Sequence, residues 1–239
     1  MKYDAIILSH PKDYTKIDYC LESMKWLNPM PHDIFLVTPD HAISDNFICL
    51  TDSEVIDLDI SEVKFSRPNW IYQQLIKTFQ DVTRNDLYMC IDSDLIFNRP
   101  IDVFAGGKPN FFISDRDQHH IPYFSLMEIY FGLGRQVNHT FINDFMLFDK
   151  NVCREMLPDL KTFVDDLNEI LVNEEYLFSE FETYGNYVTK KHPQMYNHTH
   201  TKTRTHGQYK QWSHDEIRAY INMYKGATNV DLFTIHTWT

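Results

Sequence analysis

The sequence predicts an α/β protein, with a mixed, mostly parallel β-sheet flanked by helices in a single domain. Short apolar segments of strand length alternate with segments whose apolar residues recur at helical spacing. The chain has 239 residues, of which 43% are hydrophobic and 15% aromatic, so it can bury one sizeable core. Helical crossovers between strands favour parallel pairing, with helices on both faces of the sheet.

The first half of the chain carries the regular alternation. The predicted elements are strand 3–9, helix 13–27, strands 33–38 and 47–50, helix 69–79 and strand 87–91. Pro39 ends the second strand, since proline cannot donate to a strand ladder. The second half is less regular, with strands 111–114, 145–148 and 232–236, helices 122–133, 152–171, 179–189 and 214–224, and a polar loop before the last helix.

Charge and composition exclude several classes of protein. The net charge of −12 argues against a broad basic face for nucleic acid. No apolar run approaches the roughly 20 residues of a membrane span, and the N-terminal run is too short for a signal peptide. We therefore expect a soluble cytoplasmic protein, or one of the host cytoplasm if it is viral. The four cysteines form no CxxC pair, which favours free thiols.

Two carboxylates, Asp92 and Asp94, interrupt the apolar run at the end of strand 87–91. Alternation along an extended chain puts both on one side. Buried carboxylates need a cationic partner, and hard oxygen ligands suit Mg²⁺ or Mn²⁺. In parallel sheets, ligands bind beyond the carboxyl ends of the strands. The alternative is an Asx-rich turn with no metal.

Helix 69–79 can present polar groups to the same region. Gln73 and Lys77 are i,i+4 neighbours, and Gln74 lies beside Gln73. An amide and a cation on one helix face can bind a ligand, although an ordinary solvated face has the same pattern. Ser9, His10 and Asp13 follow the first strand, where Ser9 and Asp13 could also serve as a helix cap.

Four segments together resemble the nucleotide-sugar glycosyltransferases of the GT-A fold, within a bacterial and viral branch. These are AIILSHPKDY, RPNWIYQQLIKTF, IDSDLIF and SEFETYGNYVTKKHP, which occur in this order over most of the chain. The resemblance implies a Rossmann-type nucleotide-binding half, 1–100, and an acceptor-binding half, 101–239. It implies transfer of a hexose or deoxyhexose from a UDP-sugar to a hydroxyl of a glycan or other acceptor.

The resemblance also implies roles for individual residues. Asp94 contacts Mn²⁺ or Mg²⁺ directly, whereas Asp92 lies nearer the ribose or reaches the metal through water. His236, at the end of the last predicted strand, is the candidate third ligand by position. Ser9, His10 and Asp13 are expected at the uracil and ribose.

Glu180 and Glu182 are the candidate catalytic bases, because an inverting transfer needs a carboxylate to take the acceptor proton. Ser179 has the position of a helix N-cap and Glu182 that of its capping-box partner, which leaves Glu180 freer to act. Asp144 is a third candidate. The stereochemistry of the transfer is open at this stage. Among the aromatic residues, Tyr184 and Tyr187 are the candidates for stacking on a sugar.

The run 198–210 alternates threonine with basic residues. A mobile loop that closes over a pyrophosphate through Arg204 fits this run better than a histidine metal site. Two other functions stay open for the chain. A nucleotidyltransferase would need a glycine-rich basic loop after the first strand, which SHPKDY lacks. A noncatalytic nucleotide- or carbohydrate-binding module would not need Asp92, Asp94 and Glu180.

Overall fold

The computed structural model describes residues 1–39, 47–65, 67–114, 120–170 and 177–237. Its strands are β1 (Asp4–Leu8), β2 (Leu27–Asn28), β3 (Ile34–Thr38), β4 (Ile48–Thr51), β5 (Leu87–Asp92), β6 (Leu95–Phe97), β7 (Ile101–Asp102), β8 (Phe104–Ala105), β9 (Lys108–Ser114), β10 (Phe145–Asp149), β11 (Asn197–Thr201), β12 (Thr203–Gln208) and β13 (Leu232–Thr237). Its helices are α1 (Tyr14–Ser23), α2 (Asp52–Val55), α3 (Pro68–Phe79), α4 (Ile121–Phe131), α5 (Lys150–Met156), α6 (Leu160–Ile170), α7 (Glu180–Lys191) and α8 (His214–Tyr224). Among these helices none is long and apolar enough to cross a bilayer.

The central sheet has the strand order β10-β5-β1-β3-β4. β1, β3, β4 and β5 are parallel, and β10 adds to β5 in the antiparallel sense. The predicted fold class is therefore confirmed. β1 is buried along its whole length, as expected for a strand covered on both faces. Its last residue, Leu8, pairs with Asp92, so the loop after β1 and the two carboxylates leave the sheet side by side.

A smaller sheet returns the C-terminal strand to these carboxylates. Its order is β12-β13-β6, and β6 begins directly after Asp94. β13 pairs with β6 in the antiparallel sense, with Thr234 opposite Leu95. The Ile235 N–H donates to the Asp94 carbonyl at 3.0 Å. This pairing places His236, the next residue, beside Asp94.

The prediction of a polar loop before the last helix is wrong for two segments, which form the strands β11 and β12. β11 pairs with β9, and β12 pairs with β13, both in the parallel sense. The alternation of threonine with basic residues has the period of a strand, with Thr201 and Thr203 buried. The predicted mobile loop is therefore a pair of strands.

The predicted helix 152–171 is also divided. α5 ends at Met156 and α6 begins at Leu160, with Pro158 between them. Proline in a helix interior removes a hydrogen bond and clashes with the preceding turn, so the break follows from the sequence. Residue 171, at the end of the predicted helix, lies outside the described residues.

Helix α7 packs closely against the segment that enters β10. Gly185 faces the ring of Phe141, and a Cβ atom on Gly185 would lie well inside van der Waals contact with that ring. The Gln136 N–H donates to the Asn186 side-chain oxygen at 2.7 Å, one residue further along the helix. The glycine of the SEFETYGNY segment therefore allows close approach of helix and loop.

We expect Gly185→Ala to destabilise the protein by about 1–3 kcal/mol, the usual effect of overpacking a close contact. In an uncrowded helix the same change would stabilise by roughly 0.5–1 kcal/mol, so the sign is informative. Urea denaturation measures the change. Gly134→Ala is the matched control, because its Cβ would meet open space, and it should change stability by no more than about 0.5 kcal/mol. A stabilised Gly185→Ala protein would contradict the packing.

Candidate active site

A cleft of about 610 Å³ opens beyond the carboxyl ends of β1 and β5. This edge is where parallel α/β sheets bind ligands. The loop after β1, helix α3, the segment after β5, the start of α7 and the end of β13 all contribute to its walls. The sequence-predicted residues in these walls are His10, Asp13, Gln73, Gln74, Lys77, Asp92, Asp94, Glu180 and His236.

Lys77 joins two of the predicted carboxylates. Its Nζ lies 2.9 Å from Asp92 Oδ1 and 2.9 Å from Glu180 Oε1. The Lys77 and Glu180 side chains are buried, whereas Asp92 is about a third exposed to the cleft. Burial lowers the pKa of Lys77, but the charges of Asp92 and Glu180 outweigh it and hold the pKa above its ordinary value. Lys77 is therefore a fixed cation on the wall of the cleft.

Helix α3 also positions the first turn of α7. Gln74 is buried, and its side-chain oxygen accepts from the Glu180 N–H at 3.0 Å. Gln74 and Lys77 are i,i+3 neighbours, so one face of α3 holds both the backbone and the side chain of Glu180. Glu180 is the first residue of α7, where the helix dipole favours a carboxylate. Gln73, the predicted partner of Lys77 on the helix face, is half-buried and lines the cleft.

Asp94 and His236 form the second charged pair of the cleft. His236 Nδ1 lies 2.7 Å from Asp94 Oδ2. Burial lowers the pKa of His236, but the hydrogen bond and charge of Asp94, together with the charges of Asp144 and Asp92, raise it to about 9. The carboxylates of Asp94 and Asp92 are oxygen donors that suit a hard divalent cation, and His236 can add a nitrogen ligand once the cation displaces the proton shared with Asp94.

The loop after β1 supplies the opposite wall. Asp13 is buried and bound to Lys16 at 2.6 Å; burial, together with the charge of Asp94, raises its pKa despite this ion pair. The alternative that Ser9 and Asp13 cap a helix does not hold. Asp13 precedes α1 without a side-chain capping bond, and the His10 side chain accepts from Lys12 N–H at 3.4 Å in the turn before α1. Ser9 lines a separate cavity of about 50 Å³, and its buried hydroxyl has no hydrogen-bond partner among the described residues.

Glu182 does not line the cleft. Its carboxylate accepts from the Thr140 hydroxyl, from Phe141 N–H at 3.1 Å and from Asn186 Nδ2 at 3.2 Å. Burial raises its pKa, although these donors and Arg135 oppose the shift. Ser179 does cap α7 by accepting from Glu182 N–H, but the reciprocal side-chain bond of a capping box is replaced by these contacts. Glu182 therefore anchors the segment that precedes Asp144.

Asp144 lies close to the metal-binding candidates without forming part of the cleft wall. Its carbonyl accepts from Asp92 N–H at 3.0 Å, and its backbone is left-handed, with a φ of 60°. Aspartate tolerates this conformation better than most residues do. The neighbouring Asn143 is buried and donates to Thr201 Oγ1 at 2.7 Å.

Three further predicted residues lie away from the cleft. The Tyr184 hydroxyl is fully buried and accepts from Asp149 N–H at 2.8 Å, and the Tyr187 hydroxyl donates to Glu155 at 2.8 Å. Both tyrosines therefore have structural contacts. Arg204 is exposed on β12, and its guanidinium donates to the Thr203 carbonyl at 2.7 Å. In the small sheet, β13 lies between β12 and β6, so β12 is separated from the strand that follows Asp94. Sequence position alone could not show this.

At the entrance to helix α3, sequence reasoning missed Arg67 and preferred Tyr184 and Tyr187 to Trp70 as stacking residues. Arg67 and Trp70 line the cleft, with the guanidinium carbon 4.9 Å from the indole ring centre. Trp70 also stacks on Tyr123, with 6.1 Å between ring centres. The available signal was the Arg-Pro pair, since proline favours the first helical position and therefore places Arg67 at the N-cap of α3.

A separate acidic group lies at the opposite edge of the sheet. Ligand atoms of Asp4, His32 and Asp33 fall within 4.8 Å of one another, but Asp4 begins β1 rather than ending it. Both Asp4 carboxylate oxygens already accept hydrogen bonds, from Asn85 Nδ2 at 2.7 Å and from Arg84 and Asn85 N–H at 2.8 Å. This group ties the strand to a loop and is not the metal site predicted from Asp92 and Asp94.

Known structures with a similar fold include GT-A-type glycosyltransferases. An active-site mutant of LgtC matches with a TM-score of 0.50 and 10% identity, over 97% of this chain and 86% of that one. The galactosyltransferase LgtC with donor and acceptor sugar analogues matches at 0.46 and 11%, over 97% and 86%. Mouse xyloside xylosyltransferase 1 in its apo form matches at 0.48 and 10%, over 98% and 97%. At 10% identity, the match to the LgtC mutant, with its TM-score of 0.50, shows similarity of fold alone.

No curated protein matches the sequence. A family model described as a family of unknown function, DUF6492, matches residues 6–230. Because this match covers most of the sequence, the chain belongs to the DUF6492 family.

Proposed function

We propose that the protein is a metal-dependent glycosyltransferase that moves a sugar, a hexose or deoxyhexose, from a UDP-sugar to a hydroxyl of a glycan or other acceptor. The observation that carries the proposal is the cleft itself. It combines an Asp94–His236 pair at 2.7 Å with a lysine fixed between Asp92 and Glu180, at the carboxyl edge of a GT-A-like sheet. The similar structures are glycosyltransferases, which agrees with this use of the fold.

Asp94 and His236 would hold the metal, with Mn²⁺ or Mg²⁺ as the fitting ions. Asp92 is suited to a contact through water or to the ribose, because its Oδ1 already accepts from Lys77 at 2.9 Å. When bound, the cation would neutralise negative charge on the departing nucleoside diphosphate. Lys77 adds a permanent positive charge on the same wall.

The nucleotide is proposed to enter from the side of the loop after β1. His10 and Asp13 from this loop line the cleft together with Gln73 and Trp70 from α3. These groups offer hydrogen bonds and an aromatic surface to a base and a ribose. The nucleotide contacts then come mainly from residues 1–100, while Glu180 and His236 of the second half reach the diphosphate and sugar.

Glu180 is the preferred candidate for the base of an inverting transfer. It lines the cleft, whereas Glu182 binds Thr140 and Phe141 behind it. One Glu180 oxygen accepts from Lys77, which fixes the orientation of the carboxylate. Asp144 is kept as the second candidate, because its charge acts on His236 from close by.

The buried ion pair also favours an enzyme over a noncatalytic binding module. Replacing a buried ion pair by apolar groups is often neutral or stabilising, so fold stability alone does not account for Lys77 between two carboxylates. Lys77 and the Asp94–His236 pair line the same cleft, so a cationic group is available beside the proposed metal position, where a departing diphosphate would develop negative charge.

Asp94→Asn should weaken Mn²⁺-dependent UDP binding by at least tenfold, on the order of the loss seen when metal sites lose a supporting group. The change removes a ligand charge at constant size, so the fold should persist. Calorimetric titration of UDP with and without Mn²⁺ measures the loss, and His236→Gln should show the same pattern. Asp165→Asn, on an exposed face of α6, is the matched control. Equal affinity in Asp94→Asn and wild type would refute the metal assignment.

Glu180→Gln should keep UDP affinity but lower sugar transfer by roughly 10²–10⁴-fold if the reaction inverts configuration. Glu182→Gln should instead cost about 1–3 kcal/mol of stability, because its amide would face buried donors. Transfer rates, urea denaturation and the product anomer by NMR separate the two. Normal transfer by both variants would exclude both glutamates as the base, and Asp144→Asn would then be measured.

A further inference from the structure

Three histidines from two segments meet on the surface outside the cleft. His198 and His200 are alternate residues of β11 and point to the same exposed side. His139 precedes the segment anchored by Glu182. We propose that His139, His198 and His200 form a second metal site, specific for a borderline-soft divalent transition metal such as Zn²⁺.

The ring positions are close to those of a three-histidine site. The ring centre of His139 lies 5.6 Å from that of His198 and 6.1 Å from that of His200. With Zn–N bonds of about 2.0–2.1 Å and tetrahedral angles, neighbouring imidazole centres lie roughly 5–5.5 Å apart. Each separation is therefore within about 1 Å of the liganded geometry. Three protein ligands leave the fourth position for water or another ligand.

Hydrogen bonding and surroundings support the same conclusion. His139 Nε2 is buried and has no hydrogen-bond partner within the part of the chain that the structure describes. A buried polar atom without a partner is costly, and a metal bond would satisfy it. The ring of Phe141 contacts the histidines, with its centre 5.3 Å from that of His139 and 6.0 Å from that of His198.

Two features limit the affinity. Among the described residues, the group with all ligand atoms within 4.8 Å is Asp4, His32 and Asp33, so the three histidines must rotate to converge. His198 and His200 are exposed, which leaves this rotation unhindered by core packing. The charge of Arg135 acts on His139 and disfavours a nearby dication. We therefore expect binding weaker than that of a closed structural zinc site.

A metal held here would join β11 to the segment that leads into Asn143 and Asp144. That segment is otherwise held by Glu182 and Asn186 of α7 and by the Asn143–Thr201 hydrogen bond. Binding would stabilise the folded chain, because a ligand selective for the native state raises its apparent stability. Nothing in this proposal depends on glycosyl transfer.

The test is calorimetric titration of Zn²⁺ alone into the full chain carrying Asp94→Asn, which removes the cleft pair from competition. We expect one Zn²⁺ per chain, with a melting temperature that rises with Zn²⁺ concentration. His139→Gln, His198→Gln and His200→Gln should each weaken binding by at least tenfold, on the order of known losses at metal sites. Mn²⁺ should bind less tightly than Zn²⁺, because imidazole ligands favour the softer ion.

His32→Gln and His214→Gln are matched controls, since they remove a histidine from the acidic group and from the surface of α8. Neither should alter Zn²⁺ affinity. Melting curves without metal verify that the histidine variants fold, as expected for the exposed positions 198 and 200. The proposal would be overturned if the protein bound no Zn²⁺ or if the three histidine variants bound it with unchanged affinity. A loss of Zn²⁺ affinity in His32→Gln alone would also overturn it.

Discussion

The ion pairs of Lys77 with Asp92 and Glu180 are the interaction on which the arrangement of the cleft depends. They join the last turn of α3 to the end of β5 and the start of α7. Asp92 and Glu180 are 15 and 103 residues from Lys77 in the sequence. A buried ammonium group is costly without charged partners. If Asp92 or Glu180 moved away, the Lys77 ammonium would lose a partner, so the three elements are held together. The cleft therefore has a rigid charged wall beside the Asp94–His236 pair.

Helix α7 extends this organisation from the cleft to the loop before β10. Glu180 faces Lys77, Glu182 accepts from Phe141, and Gly185 allows the Phe141 ring to approach the helix. Successive residues of one short segment thus hold both a cleft wall and the approach to Asp144. This explains why the SEFETYGNY segment is rich in polar residues although most of its side chains are buried.

Strand and helix order and the carboxylate pair at the end of β5 could be predicted from the sequence, because periodicity and strand ends are local features. His236 was a candidate only through the resemblance to glycosyltransferases, since its approach to Asp94 depends on the pairing of β13 with β6. The different roles of Glu180 and Glu182 could not, since they depend on Lys77 and Thr140, which are distant in sequence. The same holds for β11 and β12, where partner strands outweigh polar composition. The approach of His139 to β11 also follows only from the folded chain.

The central claim, that the cleft binds a nucleoside diphosphate together with a metal at Asp94 and His236, is tested most directly by anomalous diffraction from Mn²⁺ in crystals grown with UDP. We expect one strong peak within bonding distance of both side chains, with the UDP diphosphate beside it and Lys77 still between Asp92 and Glu180. A peak at Asp4, His32 and Asp33 instead, or nucleotide density away from the Asp94–His236 pair, would contradict the claim.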